Sequence, residues 1–318
     1  MYDVVTFGSA VVDTFLETEL AEKHHEFEFP VGCKIVVRKA WHATGGGGTN
    51  TAVAFSRLGM KTAFLGKLGR DTNAKLILEE LKANRIGFIG KQGDEPTGMS
   101  VIIDSKRHNR TIFTYKGANE SVAKGDVNLR KLKTKWLYFS AAVGKALKTQ
   151  AWIARWAKAR GIRLAYNPSS YITQNPSKEV FEILRNTEVL ILNDEEASQL
   201  TKRTGKDVFR VLHSLGPKVV CVTSGPKGNA VCDGQMVCLT SSRKVKLVER
   251  TGAGDAFAAG FVVGMERFND VLEASKLGTL NAESVIQKPG AKNGLLSWRE
   301  AKGLMKRTRF KTKVERLC

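Results

Sequence analysis

The stretch Arg250 to Gly260 reads Arg-Thr-Gly-Ala-Gly-Asp-Ala-Phe-Ala-Ala-Gly and combines a turn of small residues, a carboxylate and an apolar helix pattern. Glycine turns tightly and leaves backbone N–H groups accessible. Because the apolar pattern follows at once, these N–H groups would lie at a helix N-terminus, where they lack intrahelical partners and attract anions. Asp255 stands in the first turn. An anion site beside a base suits transfer of a phosphoryl group to a hydroxyl; an ordinary capped turn is the alternative.

A second glycine-rich segment runs from Gly45 to Gly48 and is followed by Thr49 and Asn50. Consecutive glycines allow a backbone to approach a ligand closely. Thr49 or Asn50 can cap the helix predicted over the apolar positions that follow, up to Leu58. A flexible linker is the alternative, but linkers rarely lead directly into a capped amphipathic helix. The segment is therefore a second candidate for ligand binding.

Polar residues also follow predicted strands. Asp13 comes after the first strand, predicted over residues 2–8, and Asn193 with Glu196 comes after a later one. Ligands collect at the carboxyl edge of open α/β sheets, so Asp13 could grip a polar ligand there. Glu196 could hold Mg²⁺, directly or through water, because Mg²⁺ prefers oxygen ligands. The alternatives are a loop aspartate and an ordinary capped helix.

The segment Thr-Ser-Gly-Pro-Lys-Gly begins at Thr223, directly after another predicted strand. Its glycines, Gly225 and Gly228, allow close backbone approach, and the Thr223 hydroxyl is a hydrogen-bonding group. The segment could line the phosphate tail of a nucleotide. A simple β-turn is the alternative, and the segment alone favours it.

The totals limit the class of protein. The chain has 318 residues with 42% hydrophobic and 26% charged residues, which suits one large α/β domain with an insertion or two ordinary domains. Its cysteines are scattered without metal-binding spacing, so we expect neither zinc nor a disulfide framework, and reduced thiols favour a cytoplasmic protein. The sequence predicts no signal peptide and no membrane span.

The net charge of +20 comes partly from a basic C-terminal region. A patch that binds nucleic acid or a membrane surface is one interpretation. A solvated basic helix or tail is favoured, because no nucleic-acid-binding module or aromatic-interleaved basic stretch is present. The basic residues in this region are Lys302, Lys306, Arg307, Arg309, Lys311, Lys313 and Arg316.

From residue 135 the pattern alternates between strands and helices, which predicts a parallel sheet covered on both faces. Short strands return over residues 229–248, including one at 245–248, and helices at 256–267 and 270–287 close the chain. Residues 98–103 and 110–115 predict a hairpin. With residues 10–40, this hairpin would form a small sheet that acts as a lid. The predicted division is a large domain over 1–9, 41–97 and 116–318, and a lid over 10–40 and 98–115.

The order of these motifs is more specific than any one of them. An early Asp, Gly-Gly-x-x-x-Asn, Gly-x-x-Gly-x-Asp, Asn-x-x-Glu, Thr-x-Gly-x-x-Gly and Gly-Ala-Gly-Asp follow one another from about residue 3 to about residue 296. This series resembles the PfkB, or ribokinase-like, carbohydrate kinase family. The resemblance implies an α/β fold, a three-layer α/β/α sandwich with a central, mostly parallel sheet plus a small β-sheet lid.

The resemblance also implies an activity: transfer of the γ-phosphoryl group of ATP to a sugar hydroxyl, with Mg²⁺. In that family Asp255 would be the catalytic base. The other implied roles are an anion hole from the amides of Gly252, Ala253 and Gly254; sugar binding by Asp13, Gly46, Gly47 and Asn50; ATP binding by Asn193, Thr223, Gly225, Gly228 and the helix near Asn281; and Mg²⁺ organisation by Glu196 with Asn193.

The sequence departs from the family pattern in places. Glu249 stands where the family often has an aspartate that, near Thr251, helps to bind a monovalent cation, and Arg250 replaces a common threonine. Activation by potassium is therefore doubtful. Gly47 stands where ribokinases carry a lysine in the substrate loop, which weakens the case for ribose itself.

A sugar is the leading acceptor, and a nucleoside or a phosphosugar are alternatives. A phosphosugar would need basic residues in the pocket, and Lys34, Arg38, Arg107 and Arg110 lie in or near the predicted lid. A non-catalytic sugar-binding regulatory protein on the same fold is the alternative from another class, and the retained Asp255 argues against it. By analogy with the family, a homodimer could form through the lid.

Overall fold

The computed structural model describes residues 1–20, 22–23, 26–29, 31–105 and 110–317. Arg107 and Cys318 lie outside these described residues, as does most of the turn predicted between the hairpin strands. The strands are β1 (Tyr2–Phe7), β2 (Val11–Thr18), β3 (Glu22–Lys23), β4 (Glu26–Phe27), β5 (Val37–Gly45), β6 (Thr62–Leu65), β7 (Lys67–Leu68), β8 (Gly87–Phe88), β9 (Lys91–Gln92), β10 (Gly98–Asp104), β11 (Arg110–Tyr115), β12 (Thr134–Ser140), β13 (Arg163–Asn167), β14 (Val189–Asn193), β15 (Val219–Thr223), β16 (Asn229–Cys232), β17 (Met236–Thr240) and β18 (Thr312–Arg316).

Helices connect most of these strands. They are α1 (Gly47–Arg57), α2 (Thr72–Ala83), α3 (Gly144–Lys158), α4 (Ser170–Gln174), α5 (Lys178–Arg185), α6 (Asp194–Thr201), α7 (Lys206–Ser214), α8 (Ala253–Phe268), α9 (Val271–Val285) and α10 (Trp298–Arg307). Short 3₁₀ turns occur at Gly117–Glu120, Lys124–Asp126, Leu129–Lys131 and Gly225–Lys227. Within the described part of the chain, no helix is both long and apolar enough to cross a bilayer.

The central sheet has the order β18-β17-β16-β15-β14-β13-β12-β1-β6-β8. The strands from β15 to β8 run parallel, and β16, β17 and β18 add an antiparallel edge. The strands near the middle are almost continuously apolar, as Val4, Val5 and Phe7 of β1 show, because helices cover both faces. The predicted three-layer α/β/α sandwich with a mostly parallel sheet is confirmed.

Two hydrophobic cores lie on opposite faces of the central sheet. On one face Phe55 of α1 and Phe261 of α8 pack in a cluster with Trp136 of β12. On the other face Ile153 of α3 and Leu212 of α7 belong to a separate cluster. All of these side chains are fully buried. Because α1 and α8 both pack in the first of these clusters, the turns at their N-termini are held at the edge of the sheet.

A small sheet with the order β11-β10-β2-β5 lies beside the central one. The predicted hairpin is confirmed, since β10 and β11 pair antiparallel. β5 extends to Gly45, past the boundary at residue 40, so the small sheet runs directly into the turn before α1. Asp13 lies inside β2, opposite Ala43 and Ser100, and not at the end of a central strand as expected. The reason is that the chain leaves the central sheet after Phe7 and starts β2 almost at once.

The strand predicted at 245–248 is wrong. These residues form no strand, and Leu247 and Val248 are half-exposed. The edge of β17 is already taken by β18, which pairs with it antiparallel, while the Val248 amide donates to the Ile286 carbonyl at 2.8 Å.

The basic C-terminal region forms helix α10 followed by the edge strand β18, not a solvated helix or tail alone.

Candidate active site

A cleft of about 380 Å³ opens at the carboxyl edge of the central sheet. The neighbouring parallel strands β12, β13, β14 and β15 each end on a polar residue: Ser140, Asn167, Asn193 and Thr223. All four residues line the cleft. This is the edge at which open α/β sheets bind ligands. Neither Ser140 nor Asn167 was predicted as a site residue, although a polar residue at the end of an apolar strand is a readable signal for both.

The N-terminus of α8 supplies backbone amides to this cleft. Gly252 precedes the helix with a φ of 80°, and Gly252, Gly254 and Asp255 all line the cleft. The Ala253 amide, however, donates to the Arg250 carbonyl at 3.2 Å. Of the three amides expected to form the anion hole, that of Ala253 therefore already has a partner inside the turn, and the roles of the Gly252 and Gly254 amides stay predictions. The positive end of the helix dipole remains directed at the cleft.

The carboxylate of Asp255 meets the glycine-rich turn. Asn50 Nδ2 donates to Asp255 Oδ2 at 2.9 Å, and Asp255 Oδ1 lies 3.6 Å from the position that a Cβ on Gly47 would occupy. Removal from water raises the pKa of Asp255 from 3.8 to about 6, opposed by the Asn50 hydrogen bond and by the positive charge of Lys292. Asp255 is thus mainly ionised at neutral pH, and its pKa suits a general base.

The turn before α1 is held by close backbone contacts. Gly46 has a φ of 97°, and a Cβ there would lie 2.5 Å from the Ser9 carbonyl oxygen. The amides of Gly47 and Gly48 donate to Ser9 Oγ and to the Ser9 carbonyl at 3.2 and 3.0 Å. Gly47 and Ser9 line the cleft. The structure therefore requires glycine at Gly46 for the turn itself, whereas at Gly47 a Cβ would lie 2.9 Å from Ser140 Cβ and Oγ at the wall of the cleft.

Asp13 adjoins the same turn from the small sheet. A Cβ on Gly45 would lie 2.2 Å from Asp13 Oδ2, so the carboxylate packs against the backbone just before the turn. Burial raises the pKa of Asp13, while a hydrogen bond from Ser100 and the charges of Lys292 and Arg110 lower it. A half-buried carboxylate of this kind can accept hydrogen bonds from ligand hydroxyls.

Glu196 faces Asp255 across the cleft. Its amide donates to Asn193 Oδ1 at 2.7 Å, and its Oε2 accepts from the Asn193 amide at 2.9 Å, which forms a capping box at the start of α6. Burial raises the pKa of Glu196, and the hydrogen bond from the Asn193 backbone lowers it. Glu196 lines the cleft together with Asn193 and Asp255.

Glu196 is the carboxylate of the cleft that is expected to hold Mg²⁺. Among the described residues, no group of three or more His, Cys, Asp or Glu side chains could form a metal cage. Mg²⁺ keeps several waters and is commonly bound by one or two carboxylates together with substrate phosphates. Because one Glu196 oxygen is engaged in the cap, the site fits an ion held through water rather than a closed metal centre.

In the turn after β15 the threonine lies in the cleft, and the glycines shape the backbone. Thr223 lines the cleft, and its hydroxyl donates weakly to the Leu192 carbonyl at 3.3 Å. Gly225 begins a 3₁₀ turn with a φ of 52°. Gly228 has a φ of 104°, and a Cβ there would lie 2.0 Å from the Thr240 carbonyl oxygen. Gly228 is therefore needed for close packing against β17.

Asn281 is fully buried and has partners at both polar atoms. Its Nδ2 donates to the Ala256 carbonyl at 2.8 Å, and its Oδ1 accepts from the Leu296 amide at 3.1 Å. The structure does not support a direct contact between this side chain and ATP. Asn281 instead fixes α9 to the first turn of α8, so it acts on the cleft only through Asp255 and its neighbours.

At Glu249 and Thr251, where a monovalent-cation site was doubtful from the sequence, the structure places the side chain of Arg110. Glu249 Oε2 accepts from the Gly290 amide at 2.6 Å, and its Oε1 lies 3.5 Å from the Arg110 guanidinium. The same guanidinium donates to Thr251 Oγ1 at 3.2 Å. Arg110 therefore already supplies a positive charge beside both Glu249 and Thr251. Of the other lid cations considered for a phosphosugar, Lys34 and Arg38 are exposed.

The chain is similar to known kinases over almost its whole length. It is 29% identical over 300 residues to the ribokinase of Staphylococcus aureus (strain COL), a match that covers 91% of this chain and 94% of that protein. The crystal structure of adenosine kinase from Sinorhizobium meliloti superposes with a TM-score of 0.80 at 26% identity, covering 95% of this chain and 98% of that one.

The structure of Arabidopsis thaliana ribokinase complexed with ribose and ATP gives a TM-score of 0.83 at 24% identity, with 96% of this chain and 99% of that chain covered. At that identity it supports the fold. The model of the pfkB family carbohydrate kinases matches residues 1–298. The polar strand ends, the α8 amides and Asp255 all lie within that match, and the chain therefore belongs to the pfkB family of carbohydrate kinases.

Proposed function

We propose that the protein transfers the γ-phosphoryl group of ATP to a hydroxyl of a sugar or sugar-like molecule. One observation carries the proposal: Asp255 lies at the amide-rich N-terminus of α8, inside the cleft, and is hydrogen bonded to Asn50 of the glycine-rich turn. A base, an anion site and an acceptor-binding turn are thereby adjacent. That combination matches what phosphoryl transfer to a hydroxyl needs.

The proposed reaction is an in-line displacement. The acceptor oxygen forms a bond to the γ-phosphorus, the bond from that phosphorus to the oxygen bridging the β- and γ-phosphates breaks, and ADP leaves. Asp255 takes the proton of the acceptor hydroxyl. With a pKa of about 6, most molecules carry the ionised base at neutral pH, and the buried carboxylate is a stronger base than an exposed one.

Charge on the migrating phosphoryl group is stabilised by fixed dipoles. The amides of Gly252 and Gly254 and the dipole of α8 act where negative charge accumulates. Thr223 at the end of β15 could donate to the phosphate tail. Mg²⁺, when bound with ATP, would neutralise phosphate charge, and Glu196 would hold it through water.

The acceptor is proposed to bind between the turn before α1 and the small sheet. Asp13 would accept hydrogen bonds from acceptor hydroxyls, and Asn50 would hold Asp255 toward the reacting one. The small sheet would close over the acceptor and exclude water, which limits hydrolysis of ATP. A nucleoside is the second candidate acceptor, supported by the likeness to an adenosine kinase at 26% identity.

The test is ADP release from ATP and Mg²⁺ with a panel of pentoses, hexoses, nucleosides and sugar phosphates. We expect turnover with a sugar, and a loss in Asp255→Asn of at least a few hundred-fold in kcat with little change in ATP affinity, because general bases contribute ~10²–10⁴-fold. Asp207→Asn is the matched control, since Asp207 also lies in a helix first turn but is exposed and distant from the cleft lining. The proposal is refuted if no compound of the panel is phosphorylated, or if Asp255→Asn turns over at nearly the wild-type rate.

A further inference from the structure

Lys292, in the loop between α9 and α10, is a buried lysine that the mechanism above does not use. Its side chain is 8% exposed. Its ammonium donates to Glu80 Oε2 at 2.6 Å and to Thr44 Oγ1 at 2.8 Å. Burying an ion pair removes both charges from water, and their attraction often does no more than offset that loss, so such a pair is weak support for stability and calls for another explanation.

The position of Lys292 joins the elements that form the cleft. Thr44 is the residue before Gly45, where the small sheet enters the turn before α1. Arg57, the last residue of α1, donates from Nη1 to the Lys292 carbonyl at 3.0 Å. The preceding residue, Ala291, packs against the other turn: a Cβ on Gly252 would lie 2.6 Å from the Ala291 carbonyl oxygen. One short loop therefore contacts both turns that the proposed reaction needs.

The charge of Lys292 also acts on both functional carboxylates. It lowers the pKa of Asp255 and of Asp13, and in each case it opposes the effect of burial. Burial lowers the pKa of Lys292 itself, and the carboxylates of Glu80, Asp13 and Asp255 raise it. The buried ammonium thus lies within electrostatic reach of the base and of the proposed acceptor-binding aspartate.

Other titratable groups face these carboxylates. The phenol of Tyr138 lies near Asp255 and Glu196, and its pKa is raised well above its usual value by burial, so it is neutral at neutral pH. Near Asp13, the negative charge of Glu249 raises the pKa of Asp13 and the positive charge of Arg110 lowers it, so the two effects oppose each other. Lys292 is consequently the cation that acts on Asp255 among the groups that the structure describes.

We propose that Lys292 is a positioning residue for phosphoryl transfer, which ties the Gly252 turn to the end of β5 and the turn before α1 and directs a positive charge toward Asp255. This inference rests on the proposed function. An ion pair that only stabilised the fold would affect the amount of folded protein and the melting temperature, but it would not change the pH at which the base loses its proton. That difference makes the two roles separable.

The test compares the pH dependence of kcat/KM in the wild type, Lys292→Met and Lys276→Met. Lys276 pairs with Glu273 at 2.6 Å on α9 and serves as the matched control. Loss of the Lys292 charge is expected to move the acidic limb up by about one pH unit, so that activity falls about fivefold more at pH 6 than at pH 8. Carboxyl carbon NMR of Asp255 should show the same upward shift, and Lys276→Met should show none.

The double variant Glu80→Met/Lys292→Met covers the case in which Lys292→Met does not fold, because replacing a whole buried pair by apolar side chains is often tolerated. It too should shift the acidic limb upward. An unshifted limb and an unshifted Asp255 resonance in the folded variants would overturn the role of Lys292, even if melting temperatures fell. If the wild type phosphorylates no acceptor, the proposed function fails instead, and the NMR titration still decides whether Lys292 acts on Asp255.

Discussion

Two glycines of the α8 turn should respond in opposite ways to the same substitution. Gly252 has a φ of 80°, and a Cβ there would lie 2.6 to 2.7 Å from three atoms of Ala291. Gly254, two residues on, has ordinary helical geometry and no atom within 4 Å of an added Cβ. Both residues line the cleft. The substitutions Gly252→Ala and Gly254→Ala therefore add the same methyl group to a crowded position and to an open one.

The magnitude follows from these contacts. Left-handed backbone costs a non-glycine residue ~1–2 kcal/mol, and forcing a methyl group into packed surroundings costs ~1–3 kcal/mol. We expect Gly252→Ala to lower the free energy of unfolding by about 3 kcal/mol, or the melting temperature by about 5 °C in a domain of this size. Gly254→Ala should leave the melting temperature unchanged or slightly raised, because alanine favours helix by ~0.5–1 kcal/mol.

The catalytic effects should be ordered differently from the stability effects. The methyl group of Gly254→Ala projects into open cleft space where phosphate would bind, so kcat/KM for ATP should fall about tenfold while the fold is intact, a change of about 1.4 kcal/mol. Thermal unfolding and initial rates with saturating acceptor measure the two effects separately. The reasoning is refuted if Gly252→Ala melts with the wild type, or if Gly254→Ala melts several degrees lower.

Asp255→Asn should be more stable than the wild type at pH 7.5, by about 2 kcal/mol, and equal to it near pH 4. The folded-state pKa of about 6 exceeds the usual 3.8, so the stability of the protonated form is lost as pH rises through 6; equal stabilities at pH 7.5 would contradict this. Asp13→Ala should raise the acceptor KM at least tenfold, since charged hydrogen bonds contribute ~1.5–3 kcal/mol, and a raised ATP KM alone would show that the two sites are assigned the wrong way round. Rates in KCl and in tetramethylammonium chloride should agree, because Arg110 contacts Glu249 and Thr251; several-fold stimulation by K⁺ would oppose it.

Sequence predicted the features that depend on local pattern. The alternation of strands and helices after residue 135 predicted a parallel sheet covered on both faces, and the turn at Asp104 between two β-rich runs predicted the β10–β11 hairpin. The strand predicted at 245–248 failed because strand propensity does not reveal which sheet edge is free. That edge is filled by β18, from a segment more than 60 residues farther along the chain.

The site was predictable where a motif carries its own geometry and not where it depends on distant partners. Gly252 and Asp255 belong to one turn, so their proximity follows from sequence. The burial of Lys292 does not follow from the sequence, because a lysine in a glycine-containing loop normally lies in solvent. Its partners Thr44 and Glu80 come from elements more than 200 residues earlier. The predicted role of Asn281 in ATP binding lacks support for a related reason: sequence does not show that its side-chain amide already has hydrogen-bond partners inside the fold.

The edge strand β18 has a consequence for handling the protein. β17 contains the apolar run Met236–Leu239, and without β18 its backbone N–H and C=O groups would be exposed, a surface that promotes aggregation by strand addition. β18 covers this edge and presents Lys313 and Arg316 to solvent, and charged side chains on an outermost strand discourage pairing between molecules. Chains shortened before Thr312 should therefore precipitate at concentrations that the full chain tolerates, and a C-terminal affinity tag needs a spacer that leaves this strand paired.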